Sequence, residues 1–197
     1  MRYVVLVLFI TFALSALGYV YWQQELQYTQ PTPKPAGLVQ VAFEEKIDVS
    51  PWISPSGKPV FLHFFSPECP CSKFNAQNFA QIHNRYSDAF DFYVIIPNYS
   101  DKEEAAEFLP EGIQIIQDET TLLSSTVGVY STPQAVLIDS DQRLFYRGNY
   151  NKSRYCTLPE SNYALQAAEA LTQRKPIPSF DAYATVAYGC VLPSLQL

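Results

Sequence analysis

The longest uninterrupted pattern in the chain is apolar. Residues Tyr3 to Trp22 carry no charged side chain. A run of 20 such residues forms a helix of about 30 Å, the thickness of a bilayer's hydrocarbon core. Tyr19, Tyr21 and Trp22 close the run as an interfacial aromatic belt does. A cleaved signal peptide has a shorter apolar core and a small-residue cleavage site. Ala13-Leu14-Ser15 is a passable site, but the apolar run continues well past it. The pattern therefore predicts a membrane anchor over 1–22. Pro31, Pro33 and Pro35 then alternate with Thr32 and Lys34. This predicts an extended spacer over 23–37 that holds a globular domain, 38–197, off the membrane.

Beyond the spacer the period switches repeatedly. Val39 to Phe43 alternates, which predicts a short edge strand. A turn follows at Pro55 to Gly57. The continuous apolar run Val60 to Phe65 predicts a central strand covered on both faces. From Pro70 to Tyr86 the period is helical, with Phe79, Ile82 and Tyr86 on one face. Asp91 to Pro97 predicts a second buried strand. Asp101, with Glu103 and Glu104 behind it, caps a short helix running to Leu109. Ile113 to Gln117 predicts a third strand, and Glu119 to Val127 another short helix. Ala135–Ile138 and Arg143–Tyr146, parted by a polar turn, predict a hairpin. Glu160 to Arg174 predicts a last helix with Ala164, Leu165, Ala168 and Leu171 inward. Strands alternating with helices, closed by a hairpin and a helix, predict an α/β domain with a mixed central sheet flanked by helices.

A hydrophobic content of 48% supplies a core for one domain. The net charge of −6, with no Lys/Arg run, excludes nucleic acid as a partner. Arg2 is the only basic side chain before the apolar run, and 23–30 contains Glu25 but no Lys or Arg. The positive-inside rule then puts the N-terminus in the cytoplasm and the domain outside. In a bacterium this is a single-pass inner-membrane protein facing the periplasm, where disulfides persist. The four cysteines all lie beyond the apolar run.

The chemistry concentrates at Cys69-Pro70-Cys71-Ser72, directly after the predicted central strand. A cysteine opening a helix faces unpaired N–H groups and the positive dipole end, and both favour the reactive thiolate. Pro70 suits the first helical position. Glu68 beside Cys69 raises its pKa, and Lys73 lowers it. Cys69 is the candidate nucleophile, and Cys71 a candidate to resolve a mixed disulfide, although a Cys69–Cys71 bond closes a tight, strained ring. Cys156 and Cys190 flank the last helix and are expected to bond to each other as a structural pair. The sharper alternative has Cys190 fold back onto Cys69 or Cys71, since four cysteines allow three pairings. His63, inside the central strand, is expected to be a satisfied core histidine, and His83, on the helix, to be solvated or half-buried. Asp118, Asp139 and Asp141 are expected to be solvated caps. No cofactor motif and no zinc set is present. Two thiolates suffice for Cu(I), so a copper-binding domain is one alternative. A redox-inert interaction module is the other.

The strand PVFLHFF followed by SPECPCSK resembles the thioredoxin-like superfamily: apolar strand, short loop, cysteine at a helix start. Thr132-Pro133 stands where that family has a cis-proline opposite the active cysteine. Within it, Cys69-Pro70-Cys71-Ser72-Lys73, Tyr146-Arg147-Gly148 and Gly189-Cys190-Val191 resemble the redoxin branch, related to the peroxiredoxins. Ser66 stands where peroxidase chemistry wants a threonine. The resemblance implies thiol–disulfide exchange on client proteins bearing thiols or disulfides. Cys69 would attack, Cys71 or Cys190 would resolve, Pro133 would shape the groove, and Phe64, Phe65 and Pro133 would line the contact surface.

Overall fold

The computed structural model describes residues 2–54, 56–153 and 158–193. Helix α1 (Arg2–Tyr21) continues through a π-helical turn (Trp22–Leu26) into α2 (Gln27–Thr29). No residue of α1 is buried. A helix apolar on every side needs lipid or a protein core around it, and the domain covers none of it. Among the described residues it is the one helix long and apolar enough to cross a membrane.

The domain runs β1 (Val60–Phe64), α3 (Pro70–Tyr86), β2 (Asp91–Pro97), α4 (Lys102–Ala106), β3 (Gln114–Asp118), α5 (Leu122–Val127), β4 (Ser131–Thr132), β5 (Gln134–Ile138), β6 (Leu144–Gly148), α6 (Tyr163–Thr172) and β7 (Cys190–Val191). Five strands form a mixed sheet in the order β3-β2-β1-β5-β6. The three strands β1, β2 and β3 are parallel, and β5 runs antiparallel to both β1 and β6. A separate ribbon pairs β4 with β7. This is a thioredoxin-like fold with the helices flanking the sheet.

Strand β1 is central and buried at every residue. Its period of two divides the core. Phe61, with Phe65 beyond the strand, packs with Phe79 and Ile82 of α3 and with Ala164, Ala167 and Ala168 of α6. Val60, Leu62 and Phe64 face the other way, onto Leu123 and Val127 of α5 and onto Ile47, Val49 and Ile53. Each large side chain so buried contributes about 1.5–3 kcal/mol, so the strand end that leads to Cys69 is fixed from both sides.

Several expectations differ. Val39–Phe43 forms no strand. Glu44 takes a left-handed φ of 68°, which breaks extension, and the outer edge of β6 is met instead by Glu44 N–H donating to Leu144 O (2.8 Å) and Leu144 N–H to Glu45 O (2.9 Å). The last helix begins only at Tyr163, because Pro159–Ser161 forms a 3-10 turn. Its inward residues are Tyr163, Ala164, Ala167, Ala168 and Ala170, while Leu165 and Leu171 are half-buried. Asp118 is a buried cap, accepting from Leu123 N–H (3.2 Å) and Ser124 N–H (2.8 Å). The proline-rich segment does not begin as a detached spacer. Pro31 bridges to Tyr188, and Thr32, itself buried, donates its N–H to Ala187 O (2.7 Å).

Candidate redox site

Cys69 is the N-cap of α3, with extended backbone (φ −90°, ψ 115°) and Pro70 at the first helical position. Its N–H donates to Ser66 O (3.0 Å) and its carbonyl accepts from Lys73 N–H (3.1 Å). The loop is thereby closed against the end of β1, and the first turn of a 17-residue helix starts on the sulfur's own residue. That end of the helix dipole favours a thiolate over a thiol.

The sulfur is bonded to Cys190, with the two Cα atoms 5.9 Å apart and a sequence separation of 121. The ribbon makes this possible, since Cys190 is the register partner of Thr132. Thr132-Pro133 is cis, as the resemblance implies, and Cys69 Sγ lies 3.4 Å from Thr132 O. Gly189 carries a φ of 107°, and any Cβ there would overlap the Thr132 carbonyl oxygen. Only glycine lets β7 come this close to β4.

Cys190 is therefore not bonded to Cys156, as the structural-pair expectation had it. The strand register carries it to the helix end instead. Cys156 itself lies outside the described residues. Cys71 stands outside the Cys69–Cys190 bond, fully buried in the first turn of α3. Phe64 and Phe65 do not line a contact surface, because both are core side chains, 1% and 0% exposed. Pro133 lies beside the bond but is buried. Cys69 itself is 1% exposed, whereas Cys190 is partly exposed.

The charges beside the site are engaged elsewhere. Glu68 Oε2 accepts from the hydroxyls of Ser66 and Ser100, both at 2.7 Å. Partial burial pushes its carboxyl pKa up, but these hydrogen bonds and nearby Lys73 outweigh that and hold it below the ordinary value. Lys73 Nζ sits 3.7 Å from Glu104 and over the Phe108 ring. His63 is fully buried and stacked on Phe79, and its Nδ1 is 2.7 Å from the Tyr150 hydroxyl. Its Nε2 has no partner among the described residues. Burial pushes its pKa down to about 3, so it is a neutral core group. It is only half satisfied in its hydrogen bonding.

Three residues at the site escaped the reading of motifs. Tyr28 and Tyr188 pack with Cys69, Cys71 and Cys190 in one cluster. They continue into a groove of about 330 Å³ shared with Pro31, Lys152 and Val186. Asn149, fully buried, donates from Nδ2 to Tyr183 O (2.7 Å) and Val186 O (2.8 Å) and from its N–H to Ala184 O (2.8 Å). It braces the segment that leads to Cys190. Its only sequence signal is its position directly after Gly148, where a Cβ would overlap Ala184 O.

Residues 39–192 match the family model described as a domain of unknown function, DUF6436. The chain belongs to the DUF6436 family. No curated protein matches it. Among solved structures, this DUF6436 chain is similar to an uncharacterized conserved protein from Geobacillus kaustophilus. They share 21% identity with a TM-score of 0.62, over 86% of this chain and 94% of that one. It is also similar to a hypothetical protein from Sinorhizobium meliloti, at 17% identity and a TM-score of 0.59, over 70% of this chain and 80% of that one. A secreted disulfide oxidoreductase from Mycobacterium tuberculosis superposes over 46% of this chain and 69% of its own, at 22% identity and a TM-score of 0.40.

Proposed function

We propose that this DUF6436 domain carries out thiol–disulfide exchange on protein clients, with Cys69 and Cys190 as the redox pair. One observation carries the reading: a cysteine at the N-terminus of a long helix is bonded to a distant cysteine beside a cis X-Pro peptide. In the oxidising direction a client thiolate attacks Cys190, the more exposed sulfur. A bond forms between client and Cys190, the Cys69–Cys190 bond breaks, and Cys69 leaves as a thiolate stabilised by the helix end. A second client thiolate then attacks the client sulfur of the mixed disulfide and releases Cys190. Two client thiols become a disulfide, the protein disulfide becomes two thiols, and the two protons given up by the client end on Cys69 and Cys190. The reductive direction is the reverse. Pro133 shapes the site beside the sulfur. In the reductive direction Cys190 joins the client and Cys69 resolves the mixed disulfide, the reverse of the expected roles, and Cys71 takes no part.

In the same reading 1–22 anchors the protein in the inner membrane, 23–37 joins anchor to domain, and 38–197 faces the periplasm. A Cu(I) site would need Cys69 as a thiolate, and no observation favours it over the bonded pair.

The test is to equilibrate the full chain in graded glutathione buffers, alkylate the thiols and read each cysteine by mass spectrometry. Cys69 and Cys190 are expected to open together in one two-electron step, with a midpoint between about −120 and −270 mV. A pair that stays closed across the whole range is a structural bond, and the reading falls.

A further inference from the structure

The helix that leaves the apolar run does not stop at the membrane boundary. It stays helical from Arg2 to Thr29, and its half-buried end, Glu25 to Tyr28, is where it meets the domain. Tyr28 packs in the cluster of Cys69, Cys71, Tyr188 and Cys190. Tyr28 lies six residues beyond Trp22, which closes the apolar run, and at 1.5 Å per residue that is a rise of about 9 Å. The headgroup layer of one leaflet is itself about 5–8 Å deep. The contacts that follow, Pro31 against Tyr188 and Thr32 to Ala187 and Gly189, come before most of the proline-rich stretch. That stretch therefore cannot lift the site. It lies on the far side of the docking point. Val186 and Val191, about half exposed at 45% and 56%, flank the residue that bears the reactive sulfur.

We infer that the Cys69–Cys190 disulfide is held at the membrane surface, and that its exchange partner is a membrane-bound protein presenting a pair of cysteines within about 10 Å of the headgroups. This rests on the exchange and anchor readings above. A cysteine pair fixed at that height meets the bond by lateral diffusion, whereas a pair borne high on a soluble protein has to reach down past the domain to the lipid surface. The electron balance is that already given: two partner thiols are oxidised as Cys69–Cys190 is reduced, or the reverse.

The experiment compares the full chain, reconstituted in lipid vesicles, with a variant carrying seven helix-forming residues inserted after Trp22. The insertion keeps the helical phase, leaves residues 25–32 in place and raises the site by about 10 Å. The probe is a short peptide with two cysteines, either tethered to a lipid headgroup by a linker of about 10 Å or untethered. Because a linker that cannot span two sites gives an effective concentration near zero, the tethered peptide is expected to reduce the native chain at least about tenfold faster than the raised variant. The untethered peptide is expected to reduce both alike, which shows that the variant is folded. A linker of about 20 Å is expected to restore the raised variant. Equal rates for both chains with the short-tethered peptide overturn the membrane-surface inference and leave exchange standing. If no peptide reduces the Cys69–Cys190 bond in either chain, exchange fails and the inference with it. If the native chain does not float with the vesicles, the anchor reading fails and likewise takes the inference with it.

Discussion

The two sulfurs of the Cys69–Cys190 bond sit in unlike surroundings. Cys69 follows a strand buried on both faces and heads the longest helix of the domain, so its position is set by two half-cores. Cys190 stands on a two-residue strand. It is kept there by its pairing with Thr132, the Leu192 N–H bond to Tyr130 O (2.9 Å), and the Asn149 brace upstream. When the bond opens, the core keeps Cys69 in place, while the segment carrying Cys190 loses its strongest tie. In the exchange reading proposed above, this gives a fixed thiolate facing a releasable partner.

The largest effect is expected from cutting the bond itself. Cys190→Ser removes a cross-link across a separation of 121 residues, and the chain-entropy model puts its contribution at about 5 kcal/mol. Denaturant unfolding under oxidising conditions measures it, and a loss under about 1 kcal/mol would sink the idea that the C-terminal segment depends on this tie.

Acid probes the buried end next. His63, with its pKa pushed down to about 3 by burial, stays neutral in the fold but takes up a proton in the unfolded chain below its ordinary value of about 6.5. The unfolded state then binds more protons, so stability is full above about pH 6.5 and declines as the pH falls toward 3. The loss reaches roughly 3 kcal/mol near pH 4. His63→Leu is expected to lower stability at neutral pH, because Tyr150 loses its partner, yet to flatten this slope. An unchanged slope in the variant assigns the acid sensitivity to other groups.

Two smaller changes act on the other end. Gly189→Ala sets a side chain where φ is 107° and the Thr132 carbonyl is in the way, at a cost of about 1–3 kcal/mol. In the exchange reading, opening the bond frees β7 to draw away from Thr132, so the strain falls mainly on the bonded form and the midpoint is expected to rise by roughly 20–60 mV; a midpoint that does not move would show that β7 keeps the same approach in both forms. Asn149→Ala removes the donors to Tyr183 O and Val186 O and is expected to cost about 1–2 kcal/mol. Hydrogen exchange should quicken at residues 183–192 and stay slow in β1. If both regions quicken alike, the two ends of the bond are not independently held.

Some of the site was plain from residue order. Val60 to Phe65 followed by Cys69-Pro70 reads as strand, loop and helix start, because burial on two faces and a proline at the first helical position are local matters. The cis peptide at Thr132-Pro133 agreed with the family resemblance. Tyr28 could not be read the same way. It is a single aromatic residue in a polar stretch, and its role depends on a helix that happens to continue until it reaches the cysteines. Asn149 was equally silent, since a buried asparagine and an exposed one look identical in a sequence. The docking of Pro31 and Thr32 is silent in the sequence for a related reason: alternating prolines report backbone stiffness, not whether the chain is docked before they begin.

Hydrophobic period and end-capping were sufficient for the apolar helix, the central strands, the helix after Cys69 and the α/β class. Each of these is decided by neighbours a few residues apart. The identity of the cysteine that meets Cys69 was left open among three pairings. That choice is made between residues 121 positions apart by the close approach of Gly189 to Thr132 in the β4–β7 ribbon. How the end of the apolar helix lies against the site is decided in the same way, by Tyr28 and Thr32 packing against residues 187–190. Both depend on which distant backbones can touch, and only the folded chain brings them together.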